Sequence, residues 1–119
     1  MISYDQKTGE IKIRNTVVGY GYSGAGKGVN NPALENVRRV GPIPRGRWKI
    51  DRWDDKHGDK GPQVAVLSPV GHDAHGRTAF LIHGDNTSLN QTGSWGCIIA
   101  SRLIRNALRA SGETELVVA

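Results

Sequence analysis

The apolar residues of this chain come in short runs, each cut off by glycine or proline, and that interruption limits the fold more than any other feature. Ile11 and Ile13, then Val17, Val18 and Tyr20, then residues 63–67 and 79–83 supply β-branched, aliphatic and aromatic bulk in strand-length pieces. With 16 glycines and 5 prolines in 119 residues, turns recur too often for long helices. A chain of this length is expected to be a single domain, residues 1–119, burying roughly two-thirds of the surface its unfolded form exposes. Only residues 101–110 carry a helical period. Ser101 caps them, Leu103, Ile104, Ala107 and Leu108 make one face, and Arg102, Arg105 and Arg109 lie nearer the other. The expected fold class is mainly β, with one helix in the C-terminal half and a short helical turn.

Strands are expected at 2–5, 10–14 and 16–20, with Lys7-Thr8-Gly9 as a hairpin turn. Gly19 to Gly28 is too glycine-rich for regular structure. Asn31 as N-cap and Pro32 at the first helical position begin a turn or two ending by Arg38. The rigid turn Gly41 to Gly46 leads into a strand over 47–53 with Trp48, Ile50 and Arg52 on one face. A charged loop (54–61), a strand (63–67), a loop carrying His72 and His75 (70–77), a strand (79–83) and a last strand (114–118) complete the reading.

The 37% hydrophobic content is low and the 23% charged content ordinary, so disorder is not expected. No apolar run approaches the roughly 18 residues of a membrane span. The opening Met1 to Gln6 lacks the basic and apolar regions of a signal peptide, so synthesis in the cytoplasm is expected. The net charge of +5 points to an acidic partner, and nucleic acid, anionic lipid and the carboxylate-rich bacterial cell wall all qualify.

Cys97 is the only cysteine, so it forms no internal disulfide and is either an inert buried thiol or a nucleophile. It stands in Ser94-Trp95-Gly96-Cys97-Ile98, 14 residues after His83, which ends the apolar run Phe80 to His83. A nucleophilic thiol needs a base to take its proton and a fixed backbone to hold it. His83 can be that base, and the free N–H groups of a Gly-Cys turn can stabilise a tetrahedral oxyanion. Gly84 leaves room for substrate and lets a carbonyl fix the imidazole tautomer. Asp85 is the nearest acidic residue, but its position directs it to the other face of the strand. The order histidine-then-cysteine differs from that of papain-like enzymes. The alternative is a packed cysteine with a histidine that merely caps its loop.

Other motifs are weaker. Gly21 to Lys27 has the spacing of a phosphate-binding loop, but Gly28 stands where Ser or Thr would hold Mg²⁺, and Pro32 prevents the long following helix. His57, His72, His75 and His83 lack a zinc-ligand spacing, so no metal and no cofactor are expected. The arginines of the helix, without interleaved aromatics, read as a solvated face rather than a nucleic-acid site.

The pair His83-Gly84 followed by Ser94-Trp95-Gly96-Cys97-Ile98 resembles the L,D-transpeptidase (YkuD-type) signature. Pro44 to Ile50 is similar to that family's Pro-x-Gly-x-aromatic-x-Ile strand. Tyr22-Ser23-Gly24, Asn31-Pro32, Gly41-Pro-Ile-Pro-x-Gly46 and Phe80-x-Ile-His-Gly-Asp85 resemble, more closely, the compact L,D-transpeptidase-like toxins delivered by type VI secretion. The resemblance spans roughly residues 20 to 101. It implies a YkuD-like β-sandwich or barrel acting on peptidoglycan stem peptides as an L,D-carboxypeptidase or L,D-transpeptidase. It assigns Cys97 as nucleophile, His83 as base and Gly84 as orienting third member. Asp85, Asn86, Ser94, Trp95 and Gly96 are expected toward substrate, although Asp85 and Asn86 can equally form a turn and Trp95 can equally be a partly buried packing residue. Trp95 stands where the broader family has histidine. The resemblance further implies secretion, action in the periplasm of target bacteria and an immunity protein as partner; for oligomeric state a monomer is the default expectation. A cell-wall or phage-structural binding module with the same fold is the alternative function.

Overall fold

The computed structural model describes residues 1–84 and 96–119. Nine strands are found among them: β1 (Ile2–Tyr4), β2 (Glu10–Ile13), β3 (Thr16–Tyr20), β4 (Tyr22–Ser23), β5 (Gly46–Lys56), β6 (Pro62–Val70), β7 (Phe80–His83), β8 (Ile98–Ile99) and β9 (Glu115–Val118). Helix α1 (Arg102–Ala110) lies between β8 and β9. The strands join in one sheet in the order β3-β2-β1-β9-β5-β6-β7-β8-β4. β3 and β4 stand at opposite ends of that order, yet only Gly21 separates them in the chain. The sheet must therefore curl until its edges approach, giving a nearly closed barrel. Gly21 makes this approach possible, since a Cβ there would lie 2.2 Å from the Ile99 carbonyl oxygen.

The expected hairpin forms because the Asp5 carboxylate accepts from the N–H groups of Lys7 and Thr8, and Gly9 takes the left-handed φ of +77°. The main core contains Trp48, Tyr4, Ile11, Ile43, Ile82, Ile98, Leu108 and Leu116. Trp48 packs edge-on against Phe80 at 4.8 Å and donates its indole N–H to the Pro44 carbonyl at 3.0 Å.

Five local expectations need correction. Within the glycine-rich stretch, Tyr22–Ser23 forms a two-residue strand and Gly26–Gly28 a 3-10 turn, because β8 offers β4 an antiparallel partner. The turn after Asn31 is only a 3-10 turn, Pro32–Leu34, although Asn31 caps it as expected by accepting from the Ala33 N–H. The strand expected over 47–53 runs on to Lys56, paired along β6, so the first three residues of the expected charged loop are strand. A bulge between Ile50 and Arg52 changes the alternation, leaving Arg52 exposed while Trp53 packs against the core.

The fifth correction concerns α1. Ser101 caps it as expected, its hydroxyl accepting from the Ile104 N–H, and Ser111-Gly112 ends it. The buried face, however, is Ile104, Arg105 and Leu108, while Leu103 is 81% exposed. Arg105 is buried because carbonyl oxygens receive its guanidinium: Nη1 donates to Pro62 at 2.7 Å and Gln63 at 3.3 Å. The basic stripe expected on the solvated face is thus broken at its middle member. No described helix is long and apolar enough to cross a membrane.

Candidate active site

Parallel pairing of β7 with β8 builds the site. Ile82 lies opposite Ile98 and His83 opposite Ile99. Ile82 and Ile98 both face the main core. Alternation then sends Leu81, His83 and Cys97 to the other face, where Cys97 packs with Val64 and Leu81. The register therefore brings the two residues singled out by spacing onto one face of neighbouring strands.

The end of β7 fixes the imidazole. His83 is buried, and its Nδ1 lies 2.7 Å from the Gly84 carbonyl oxygen. Nδ1 must carry the proton to make that contact when the ring is neutral, which leaves Nε2 as the basic nitrogen. The Ala100 N–H donates to the His83 carbonyl at 3.0 Å and ties the strand end to the chain leaving β8. Gly84 itself packs on a buried cation: a Cβ there would lie 3.1 Å from Arg105 Nη2 and 3.3 Å from Arg105 Cζ. Arg105, held by the β6 carbonyls, is the floor under the peptide that orients His83.

A second buried arginine backs the cysteine turn. Gly96 has φ +116°, a conformation that favours glycine, and a Cβ there would lie 2.3 Å from Arg77 Nη2 and 3.2 Å from the Phe80 ring. The Gly96 carbonyl accepts from the Ser23 hydroxyl at 3.3 Å, and the same oxygen of Ser23 accepts from the Ile43 N–H at 2.8 Å. Asn30 completes the support, its side-chain oxygen accepting from the Ser23 N–H and from the Tyr4 hydroxyl at 3.1 Å each. Arg77 reaches across to the preceding loop, donating to the carbonyls of Glu35, Pro42 (2.9 Å) and Gly41 (3.0 Å). The motifs Tyr22-Ser23-Gly24 and Gly41 to Gly46 thus meet the cysteine turn through Ser23 and Arg77.

Cys97 is 8% exposed, and its Sγ lies 3.7 Å from the Ala79 carbonyl oxygen. Burial pushes the thiol above its ordinary range, while the Leu81 N–H and the charges of Lys60 and Arg77 act in the opposite direction. The resting group is therefore a thiol, and chemistry at sulfur needs a base at the moment of attack.

Of the expected site residues, Cys97, His83, Gly84 and Gly96 are brought together. Asp85, Asn86, Ser94 and Trp95 lie outside the described residues. Sequence reasoning missed the roles of Ser23, Arg77 and Arg105. Ser23 was visible only as part of a short motif, Arg77 as the end of a loop and Arg105 as a member of the wrong helix face. The other histidines are engaged elsewhere. His57 Nδ1 is 2.7 Å from Asp54, His75 Nε2 is 2.9 Å from Glu35, and His72 Nε2 is 2.9 Å from the Arg47 carbonyl. Among the described residues no cluster of three His, Cys, Asp or Glu side chains converges as a metal set.

Residues 18–118 match the Tlde1 domain. The chain belongs to the Tlde1 domain family. Members of this family are type VI secretion effectors, so the chain is an effector domain related to peptidoglycan, and its family implies secretion. The fold is that of an L,D-transpeptidase catalytic domain. The catalytic domain of the E. faecium enzyme, solved by NMR, superimposes with a TM-score of 0.57 at 16% identity, over 99% of this chain and 95% of that one. No curated protein matches the chain significantly. The mainly β, barrel-like architecture with a single α-helix among the described residues agrees with that fold.

Proposed function

We propose that this effector domain is a peptidoglycan-modifying cysteine acyltransferase in which Cys97 and His83 form the catalytic dyad and the Gly84 carbonyl orients the base. The observation that carries the proposal is the 2.7 Å contact between His83 Nδ1 and the Gly84 oxygen, on a strand whose register places Cys97 on the same face. That contact commits Nδ1 to orientation and leaves Nε2 for proton transfer.

In this mechanism His83 Nε2 takes the thiol proton as Sγ attacks the carbonyl of the diaminopimelate residue in a tetrapeptide stem. Concerted transfer suits a thiol that burial keeps protonated at rest. The tetrahedral oxyanion collapses, the proton passes from His83 to the departing amine, and the terminal D-alanine leaves behind a Cys97 thioester. Water, a D-amino acid or the amine of a second stem then attacks the thioester, with His83 accepting the proton of the attacking group. Hydrolysis gives an L,D-carboxypeptidase, exchange replaces the terminal residue, and a second stem gives a cross-link. The Gly96-Cys97 turn, held by Ser23 and Arg77, keeps its backbone fixed for the oxyanion.

The substrate places its action in the periplasm of target bacteria, with a cognate immunity protein as partner. Asp85, Asn86, Ser94 and Trp95 are proposed to contact the stem.

The test is incubation of purified tetrapeptide muropeptides with the wild type and Cys97→Ala under reducing conditions, with products separated by mass. Release of D-alanine by the wild type alone supports the reading, and unchanged muropeptides in both overturn it. Toxicity only when the protein is directed to the periplasm supports the cell-wall substrate, and equal toxicity from the cytoplasm contradicts it. The burial of Cys97 favours one second reading, a binding module of the same fold. It predicts peptidoglycan pull-down with no turnover and no effect of Cys97→Ala.

A further inference from the structure

We propose that Arg105 is a substrate-binding residue whose Nη2 donates to the terminal carboxylate of the stem peptide beside His83. The inference rests on the reading of Cys97 and His83 as an acyl-transfer dyad. It names a contact to the departing residue that neither the sequence motifs nor the family match assigns.

The guanidinium is buried and fixed, yet one of its nitrogens is unused. Arg105 is 6% exposed. Its Nε donates to the Ser101 carbonyl at 3.4 Å, and Nη1 donates to Pro62 at 2.7 Å and Gln63 at 3.3 Å. These bonds occupy three of an arginine's five N–H donors and leave both donors of Nη2 without a partner among the described residues. All three acceptors are neutral carbonyls. The more exposed Arg45, Arg52 and Arg109 pair instead with the carboxylates of Glu35, Asp54 and Asp55. A buried cation with spare donors gains most from an anion, and a carboxylate oxygen is the strongest common acceptor for them.

The place of Nη2 selects the anion. A Cβ on Gly84 would lie 3.1 Å from Nη2, so the spare donors sit against the residue that follows the base. Gly84 is half-buried and Pro62 is exposed, which puts the guanidinium just beneath the surface at the end of β7. In the proposed reaction His83 hands its proton to the nitrogen of the departing D-alanine. The carboxylate carbon of that residue is two bonds from the same nitrogen. A stem seated for proton transfer therefore carries its terminal carboxylate close to the base, whereas the other stem carboxylates are separated from that nitrogen by longer chains. A contact at Arg105 would favour stems that end at the residue to be released.

The experiment measures stem binding to the full chain carrying Cys97→Ala, which removes the nucleophile. Calorimetry gives Kd for the free tetrapeptide, for its terminal D-alaninamide form and for the form amidated on the diaminopimelate side chain. Each is measured with Arg105 retained, with Arg105→Gln and with Arg105→Lys, beside urea unfolding of every protein. With Arg105 retained, terminal amidation should weaken binding about 10- to 100-fold. With Arg105→Gln the free and terminally amidated stems should bind within about twofold of each other. Amidation of diaminopimelate should have the same effect with and without Arg105. Equal affinity for the two terminal forms when Arg105 is present overturns the proposal, as does a preference that survives in folded Arg105→Gln. Undetectable binding of the free stem, or a dependence of the diaminopimelate amide on Arg105, overturns it too. Should Arg105→Gln fail to fold, Arg105→Lys decides, because a single ammonium nitrogen cannot serve both the β6 carbonyls and the ligand. The preference should then narrow about threefold or more, and an unchanged preference overturns the proposal. No turnover is read in this assay, so it stands apart from the muropeptide test. A wild type that releases no D-alanine sinks the catalytic reading, and the binding ratios still judge Arg105.

Discussion

Glu35 links the loop behind the cysteine turn to three other segments, and its titration gives a direct measure of that link. One carboxylate oxygen accepts from Gln6 Nε2 at 3.0 Å, Arg45 N at 3.2 Å and Arg45 Nε at 2.9 Å, and the other meets His75 Nε2 at 2.9 Å. Burial pushes the carboxyl upward, but the hydrogen bonds from His75, Gln6 and Arg45 outweigh it and hold the group at about 2, against an ordinary 4.5. A folded value below the unfolded one means stabilisation that is complete above the unfolded value. It is lost as pH falls through the folded value. Lowering from 4.5 to about 2 corresponds to about 3 kcal/mol, reasonable for a side chain only 15% exposed. The test is urea unfolding of wild type and Glu35→Gln across acid pH. The stability advantage of the wild type should shrink by about 3 kcal/mol between about pH 6 and about pH 2. Asp5, Asp54 and Glu113 are also held low by their partners, but both proteins carry them, so their contributions cancel in the difference. Two stability curves that stay parallel over this range would refute the assignment of the Glu35 network as a clamp on the loop.

Two substitutions probe the supports of the dyad. Ser23→Ala removes both the donor to the Gly96 carbonyl and the acceptor for the Ile43 N–H in a fully buried place. It should cost roughly 2–4 kcal/mol in chemical denaturation and lower turnover, and a change below about 0.5 kcal/mol would contradict the role of Ser23. Gly84→Ala places a Cβ 3.1 Å from Arg105 Nη2, which must give by a few tenths of an ångström against its bonds to Pro62 and Gln63. Turnover should drop about tenfold while stability stays within about 1 kcal/mol, and unchanged turnover would show that Gly84 does not orient His83.

Local signals explain what could be read in advance. The hairpin at Lys7-Thr8-Gly9, the caps at Asn31 and Ser101 and the strand ending in His83 depend on neighbours within a few residues, and all form where the pattern placed them. The Gly-framed spacing of His83 and Cys97 was legible because a parallel pair of strands joins them. The errors have non-local causes. The bulge near Asp51 arises from pairing with β6 and turns Trp53 inward in place of Arg52. Helical period alone assigned Arg105 to water, whereas the carbonyls of Pro62 and Gln63, some forty residues away in sequence, receive it in the interior. Ser23 and Arg77 escaped notice for the same reason: each acts through backbone groups on distant segments, and no motif records a carbonyl.

The central claim is that Cys97 carries an acyl group from a peptidoglycan stem, and intact mass measurement of the protein during turnover tests it most directly. Acid-quenched mixtures of the wild type with tetrapeptide muropeptide should show a protein adduct equal to the stem without its terminal D-alanine. The adduct should map to Cys97, disappear on hydroxylamine treatment and be absent from Cys97→Ala. Turnover of muropeptides by Cys97→Ala at the wild-type rate would contradict the account.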